Sequence, residues 1–252
     1  MAPPDPEALR AAVQGCLLGF SPGGMTYERT RRETRKDGFV VEDLTLEGQP
    51  PISALLVRPD AHGPFPAVLY AHAQNEDPGL GRRELTRGSG HLQGAYGPVL
   101  AAMGFASLAI DMTGFADRRR EGSLQATATS LSWWGQSLFA MMLDDLSDAL
   151  GYLAARPDVD DRRVFTLGLS LGGALAFWLA AMDRRVAGTA HLCILGDALP
   201  LIGAGQHERL APAYVVPGLL RIAEIGQVAG LVAPRPQLVC LGGTDPLTPE
   251  AA

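Results

Sequence analysis

Val164-Phe165-Thr166-Leu167-Gly168-Leu169-Ser170-Leu171-Gly172-Gly173, continuing as Ala174-Leu175-Ala176-Phe177-Trp178-Leu179-Ala180-Ala181-Met182, decides the fold. Its opening residues form a short apolar run, the pattern of a strand covered on both faces. From Leu171 to Met182 no residue is polar, which predicts a buried helix. Between the two lies Gly168-x-Ser170-x-Gly172. A sharp strand-to-helix turn of this kind holds its serine in a strained conformation above a sheet. The glycines are needed because a side chain at either place would strike the neighbouring strand or helix. The turn also aims helix N-terminal amides, and the positive end of a dipole, at an oxyanion attached to Ser170. The competing reading is a glycine-rich start in which Ser170 merely caps its helix. The strand before it and the wholly apolar helix after it favour the elbow.

The same alternation extends in both directions. Upstream, residues 39–46 and 52–57 read as strands, and 67–71 as a buried strand. A long polar loop, 72–90, follows. Residues 91–103 have helical periodicity, with Gly104 as a cap, and 106–110 form a strand ending at Asp111. Residues 131–155 read as one long helix. Trp133 and Trp134 open it, to line a pocket or pack on the sheet, and Asp144, Asp145 and Asp148 mark its polar side. Downstream, 186–195 and 236–241 are strands, separated by an irregular stretch at 199–232. Near the N-terminus, 8–18 suggests a short helix and the basic run 29–36 a solvated surface segment. Strands alternating with helices predict an α/β fold: a doubly wound, mostly parallel sheet. No repeat or linker is evident, so 1–252 reads as a single domain with 199–232 as a cap-like excursion. In such sheets the functional crevice lies beyond the carboxyl ends of the strands. His72, Asp111, Ser170, Asp197 and Asp245 all follow strands there.

Composition narrows the function. Of the 252 residues 47% are hydrophobic and 19% charged, enough for a large core and too little charge for a disordered chain. A net charge of -6 is a poor match to nucleic acid or anionic lipid. Cys16, Cys193 and Cys240 are far apart, with neither disulfide nor zinc spacing. The latter two sit in apolar runs and are expected to be buried. No basic-then-apolar leader and no membrane-length apolar window are visible, so a cytoplasmic protein without membrane contact is expected. No phosphate loop, dinucleotide fingerprint or metal-ligand set appears, so no cofactor and no metal are expected. Arg82-Arg83-Glu84 is either a contact for a substrate carboxylate or a solvated loop. Arg118, Arg119 and Arg120 read as a surface charge run.

Four segments together carry a family resemblance: VLYAH at 68–72, AIDMTGFADRR at 109–119, GLSLGG at 168–173, and LVAPRPQLVCLGGTDPLTP at 231–249. The chain resembles the α/β-hydrolase superfamily over residues 38–250. Within it, the similarity is to dienelactone-hydrolase-like and acetyl-xylan-esterase-like carboxylic ester hydrolases. Dienelactone hydrolases proper carry cysteine at the elbow, and Ser170 favours the serine esterase branch. The resemblance implies a small-molecule ester substrate and an acyl-enzyme on Ser170.

It also implies the remaining machinery. The superfamily's order of nucleophile, acid and histidine assigns Asp245 as the acid that orients the histidine, with Asp197 in reserve as a candidate that more naturally caps a loop. The oxyanion donors would be the amide of Leu171 and one from the loop after the third strand. Ala73 is preferred for the second, with Gln74 as the other choice, where many relatives have His-Gly. His72 is expected to brace that loop. No histidine follows Asp245, although relatives continue with a helix, an eighth strand and a histidine-bearing loop. His62, His72, His91 and His191 read as structural, and His207, in the excursion, is the one candidate base within the chain. The preferred expectation is therefore a C-terminally incomplete hydrolase whose last apolar strand is left as an edge able to pair with a second copy. The alternatives are a non-catalytic hydrolase-fold binding protein or truncated inactive form, and, among enzymes, a peptidase resembling the prolyl-oligopeptidase catalytic domain or an acyltransferase.

Overall fold

The computed structural model describes residues 5–74, 77–194, 196–207 and 211–243. Eight strands form one sheet: β1 Glu28–Arg35, β2 Phe39–Leu46, β3 Ile52–Pro59, β4 Phe65–Ala71, β5 Ala106–Ile110, β6 Val159–Leu169, β7 Gly188–Leu192 and β8 Gln237–Cys240. Their spatial order is β1-β2-β3-β5-β4-β6-β7-β8. The first three strands and the β3–β5 pair are antiparallel. The β5–β4–β6–β7–β8 portion is parallel. The sheet is thus mixed, with an antiparallel flank on a parallel centre. The chain leaves β4 for β5 on one side and later returns to β6 on the other. This switch opens a crevice at the carboxyl end of β4.

Helices cover both faces. The helix α1, Pro6–Gln14, begins at Asp5, whose carboxylate accepts the Glu7 amide at 3.2 Å. On one face lie α4 Leu124–Trp133, α5 Leu138–Ala154 and α6 Leu171–Met182. Every residue of α6 is buried, so this helix is apolar all round because protein surrounds it all round. Here the main core gathers Leu69, Leu108, Phe139, Leu150, Phe177 and Trp178. On the other face α3, Tyr96–Ala102, covers a smaller cluster of Val57, Tyr70, Leu85, Ala101 and Ala109. The short helices α2 Glu84–Arg87, α7 Ala198–Gly203 and α8 Ile225–Gly230 lie in the connecting segments.

The structure corrects several sequence-based expectations. The basic run forms β1: its side chains are solvated, and its backbone pairs with β2 from Glu28 opposite Leu46 to Arg35 opposite Val40. Charge repelled the assignment, but an edge strand needs only a partner and tolerates water on its side chains. The expected single helix over 131–155 is two, α4 and α5. Gly135 at φ 73° and Ser137, whose hydroxyl accepts the Ala140 amide at 3.1 Å, end one helix and start the next. Trp133 and Trp134 consequently close α4 rather than open a helix, and stand 87% and 79% exposed, not packed on the sheet. The helix expected at 91–103 begins only at Tyr96. Cys240 is exposed and Cys193 half-buried, because β8 is the outer strand of the sheet.

Candidate active site

Ser170 stands between β6 and α6 with φ 54° and ψ −121°, a region that L-residues rarely occupy. Its amide donates to the Leu192 carbonyl at 2.9 Å, and its carbonyl accepts the Ala174 amide at 2.9 Å. The flanking glycines leave no room for a side chain. A Cβ on Gly172 would lie 2.0 Å from the Ala71 carbonyl oxygen, and one on Gly168 2.2 Å from the Gly172 carbonyl carbon. The serine is therefore pressed against the end of β4 and its side chain stands in the crevice. The Leu171 amide opens α6 directly behind it. The Ser170 hydroxyl lies 3.0 Å from the Tyr214 hydroxyl, which comes from the turn Pro212–Tyr214 in the excursion. Tyr214 was not foreseen; no sequence pattern joins residues 44 apart across a loop.

The loop after β4 is held by a buried polar cluster. Nε2 of His72 accepts the Met112 amide at 3.3 Å. The proton is therefore on Nδ1, which donates to the Ala73 carbonyl at 3.0 Å. The ring is wholly buried against Phe115, and that burial pushes its pKa below the usual histidine value. His72 is a neutral brace, as expected. Glu84, also wholly buried, accepts the Tyr70 hydroxyl at 2.7 Å and the Ala73 amide at 2.9 Å on one oxygen. Burial and the Glu84 carboxyl push the Tyr70 phenol up, so it stays a donor. Ala73 is thereby corrected as the preferred oxyanion donor: its N–H is turned into the loop, toward Glu84. Gln74, exposed beside it, is the next amide in the chain.

The charged residues also find partners. Arg82 pairs with the buried Asp111, whose Oδ1 accepts the Arg82 amide at 2.8 Å, and with Asp117 at 2.9 Å. Arg82 and Glu84 are thus spent on internal partners and do not form a solvated loop: Arg82 fastens the segment 79–88 to the end of β5, and Glu84 fastens it to the end of β4. Arg118 is buried and paired with Asp145, while Arg119 and Arg120 are exposed.

The remaining candidates separate by position. Asp245 lies outside the described residues. Asp197 accepts the Gly226 amide at 2.8 Å and ties α7 to α8, a loop-capping role. His191 is buried in β7, with Nε2 2.9 Å from the Gln237 side-chain nitrogen. His62 and His91 are exposed. His207 lines the rim of a cavity of about 280 Å³ beside Ser170, formed between α6 and the excursion. Among the described residues no cluster of three or more metal-ligating side chains occurs.

Comparison with known proteins bears on the family and the fold. The dienelactone hydrolase family matches residues 96–194. The YtaP protein of Bacillus subtilis (strain 168), whose name carries a provisional assignment as a hydrolase, is 35% identical over 239 residues, covering 92% of this chain and 79% of its own. Among solved structures, a Bacteroides fragilis NCTC 9343 protein provisionally named an acetyl xylan esterase superposes with a TM-score of 0.74 at 14% identity, over 93% of this chain and 66% of that one. A glucuronoyl esterase from Solibacter usitatus gives 0.65 at 14% identity, over 95% and 75%. Acetyl xylan esterase 1 from Thermoanaerobacterium sp. JW/SL YS485 gives 0.58 at 19% identity, over 99% and 81%. At such identities these structures establish the shared fold. The YtaP match, with the family model over residues 96–194, shows that this chain belongs to the dienelactone hydrolase family, on the α/β fold that the solved structures share.

Proposed function

We propose that the protein cleaves carboxylic esters through an acyl-enzyme on Ser170. The observation that carries this reading is the positive φ of a non-glycine residue at the strand-to-helix turn, above the carboxyl end of β4. Such strain is maintained where it serves to present a side chain. In the reaction the Ser170 hydroxyl loses its proton to a base as its oxygen attacks the ester carbonyl. The Leu171 and Gln74 amides hold the resulting oxyanion. The alkoxide leaves, taking that proton, and water then releases the acid by the same route. In this reading Asp245 is the carboxylate that orients the base. His72 and His191 do not serve as that base, since both are buried and their bonds face the loop and β8. His207 or a histidine from outside these 252 residues would take the role.

The reading includes one domain over 1–252, with 199–232 as a cap over the site, and a small-molecule ester as the partner. No described helix is long and apolar enough to cross a membrane. A reducing, cytoplasmic location belongs to the same reading, and Cys16, Cys193 and Cys240 are not in disulfides. The test is fluorophosphonate labelling and hydrolysis of p-nitrophenyl esters by wild type and Ser170→Ala. Labelling should vanish and kcat/KM fall by about 10³-fold or more in the variant. A folded wild type inert to both, carrying a co-purified ligand, would move the protein to the non-catalytic binding class.

A further inference from the structure

The cavity beside Ser170 has a chemistry of its own. Ser170, Ala174, Phe177 and Trp178 follow the i, i+4, i+7, i+8 spacing and so share one face of α6. The last three line the cavity, which therefore runs down the helix from the nucleophile. Phe139 of α5 lies among the lining residues at the core side, and Leu219, Leu220 and Ile225 of the excursion contribute the opposite wall. The side chains of Tyr214 and His207 are the polar ones in its described lining. Ile202 and Leu220 line it while staying 45% and 38% exposed, apolar side chains at a surface that would otherwise favour polar ones.

Two physical points choose the occupant. A hydroxyl-rich sugar moiety would lose its water here without matching hydrogen bonds, at a cost. The acyl group is the part of the ester that stays bonded to Ser170 after the alcohol departs, and it needs a sheltered place on the nucleophile's own helix face. An acetyl group would leave most of 280 Å³ vacant. That volume is just under the ~300–1,000 Å³ of ordinary ligand pockets, which suits one short apolar chain.

We infer that this cavity is an acyl-binding pocket, and that the substrates are esters of medium-chain aliphatic acids of hexanoyl to octanoyl size. The inference rests on the ester-hydrolase reading, and the experiment separates the two. First, kcat/KM is measured on p-nitrophenyl acetate, butyrate, hexanoate and octanoate. Each buried methylene is worth up to about fourfold, so hexanoate should exceed acetate at least tenfold. Second, calorimetry compares free octanoate with acetate. Octanoate should bind at least tenfold tighter, in wild type and in Ser170→Ala alike. Third, Leu220→Trp and Ile202→Trp fill the cavity from half-exposed positions that the fold tolerates. Both should cut the hexanoate-to-acetate ratio and the octanoate affinity at least fivefold. Turnover that depends on Ser170 but favours acetate, or ignores chain length, overturns the pocket and leaves the ester reading intact. Octanoate binding lost in the filling variants, with no turnover of any ester, supports the pocket and overturns the hydrolase reading. Neither binding nor turnover overturns both.

Discussion

Glu84 shows how much of this site depends on residues that touch no substrate. Its carboxyl is wholly buried and holds both the Tyr70 hydroxyl and the Ala73 amide. Ala73 precedes Gln74, the amide proposed to face the oxyanion, so Glu84 fixes the direction of that donor through one intervening peptide. Glu84→Ala leaves a buried N–H and a buried O–H unpaired, which costs about 1–3 kcal/mol for each group left unsatisfied. The expected result is a lowered urea midpoint together with a fall in kcat of about tenfold or more, the penalty expected for a displaced oxyanion donor. Glu84→Gln keeps an acceptor oxygen and should restore most of both. A Glu84→Ala protein with unchanged kcat would show that the loop holds its shape without this contact. The strained turn at Ser170, with the Leu171 amide after it, was legible in the sequence because both residues belong to one local pattern of glycines around a serine. Glu84, Arg82 and Tyr214 were not, since each acts across a loop by a contact that no spacing encodes.

At the level of elements, the buried parallel strands and α6 were legible because an apolar run bounded by glycine has few other destinations. β1 and the α4–α5 break were not, since both depend on a partner or a single backbone angle rather than on hydrophobic periodicity. Register carries information of its own in β7. His191 lies opposite Val239 of β8 and Gly168 of β6, and its ring rests 4.9 Å from that of Phe177. Burial pushes its pKa down to about 4, against an ordinary 6.5. Below pH 6.5 the unfolded chain therefore takes up a proton that the folded chain refuses until about pH 4. Stability from this group is complete above pH 6.5 and falls as the pH drops from 6.5 to 4, by roughly 2–3 kcal/mol. His72, also held down by burial, works in the same direction. Urea midpoints measured from pH 7 to pH 4.5 should fall steeply in wild type and less steeply in His191→Leu, with His72 supplying the remainder. Equal slopes in the two proteins would mean that His191 is protonated in the folded state.

The whole molecule has an asymmetry between its two sheet edges. β1 ends one side as a strand whose side chains are all polar or charged, the composition that keeps an edge from recruiting another chain. Among the described residues, β8 ends the other side with no such protection. Among those residues it pairs with β7 along one flank, and Leu238, Val239 and the following Leu241 are 58%, 40% and 54% exposed. Leu238 and Val239 are adjacent and so point to opposite faces, which leaves the strand wet on both. A second copy could add its own β8 antiparallel to this one, satisfying the open backbone groups and covering the leucine and valine side chains together. The 252-residue chain is therefore expected to form a homodimer through β8, with a molecular mass in sedimentation equilibrium that rises with protein concentration. Exposed Cys240 lies in the same strand, so the measurement belongs in reductant, where a disulfide cannot substitute for strand pairing. Leu238→Lys with Val239→Lys places like charges opposite one another in any such dimer and should return the protein to a monomer without altering Ser170 labelling. A wild-type chain that stays monomeric at the highest attainable concentration would refute pairing through this edge.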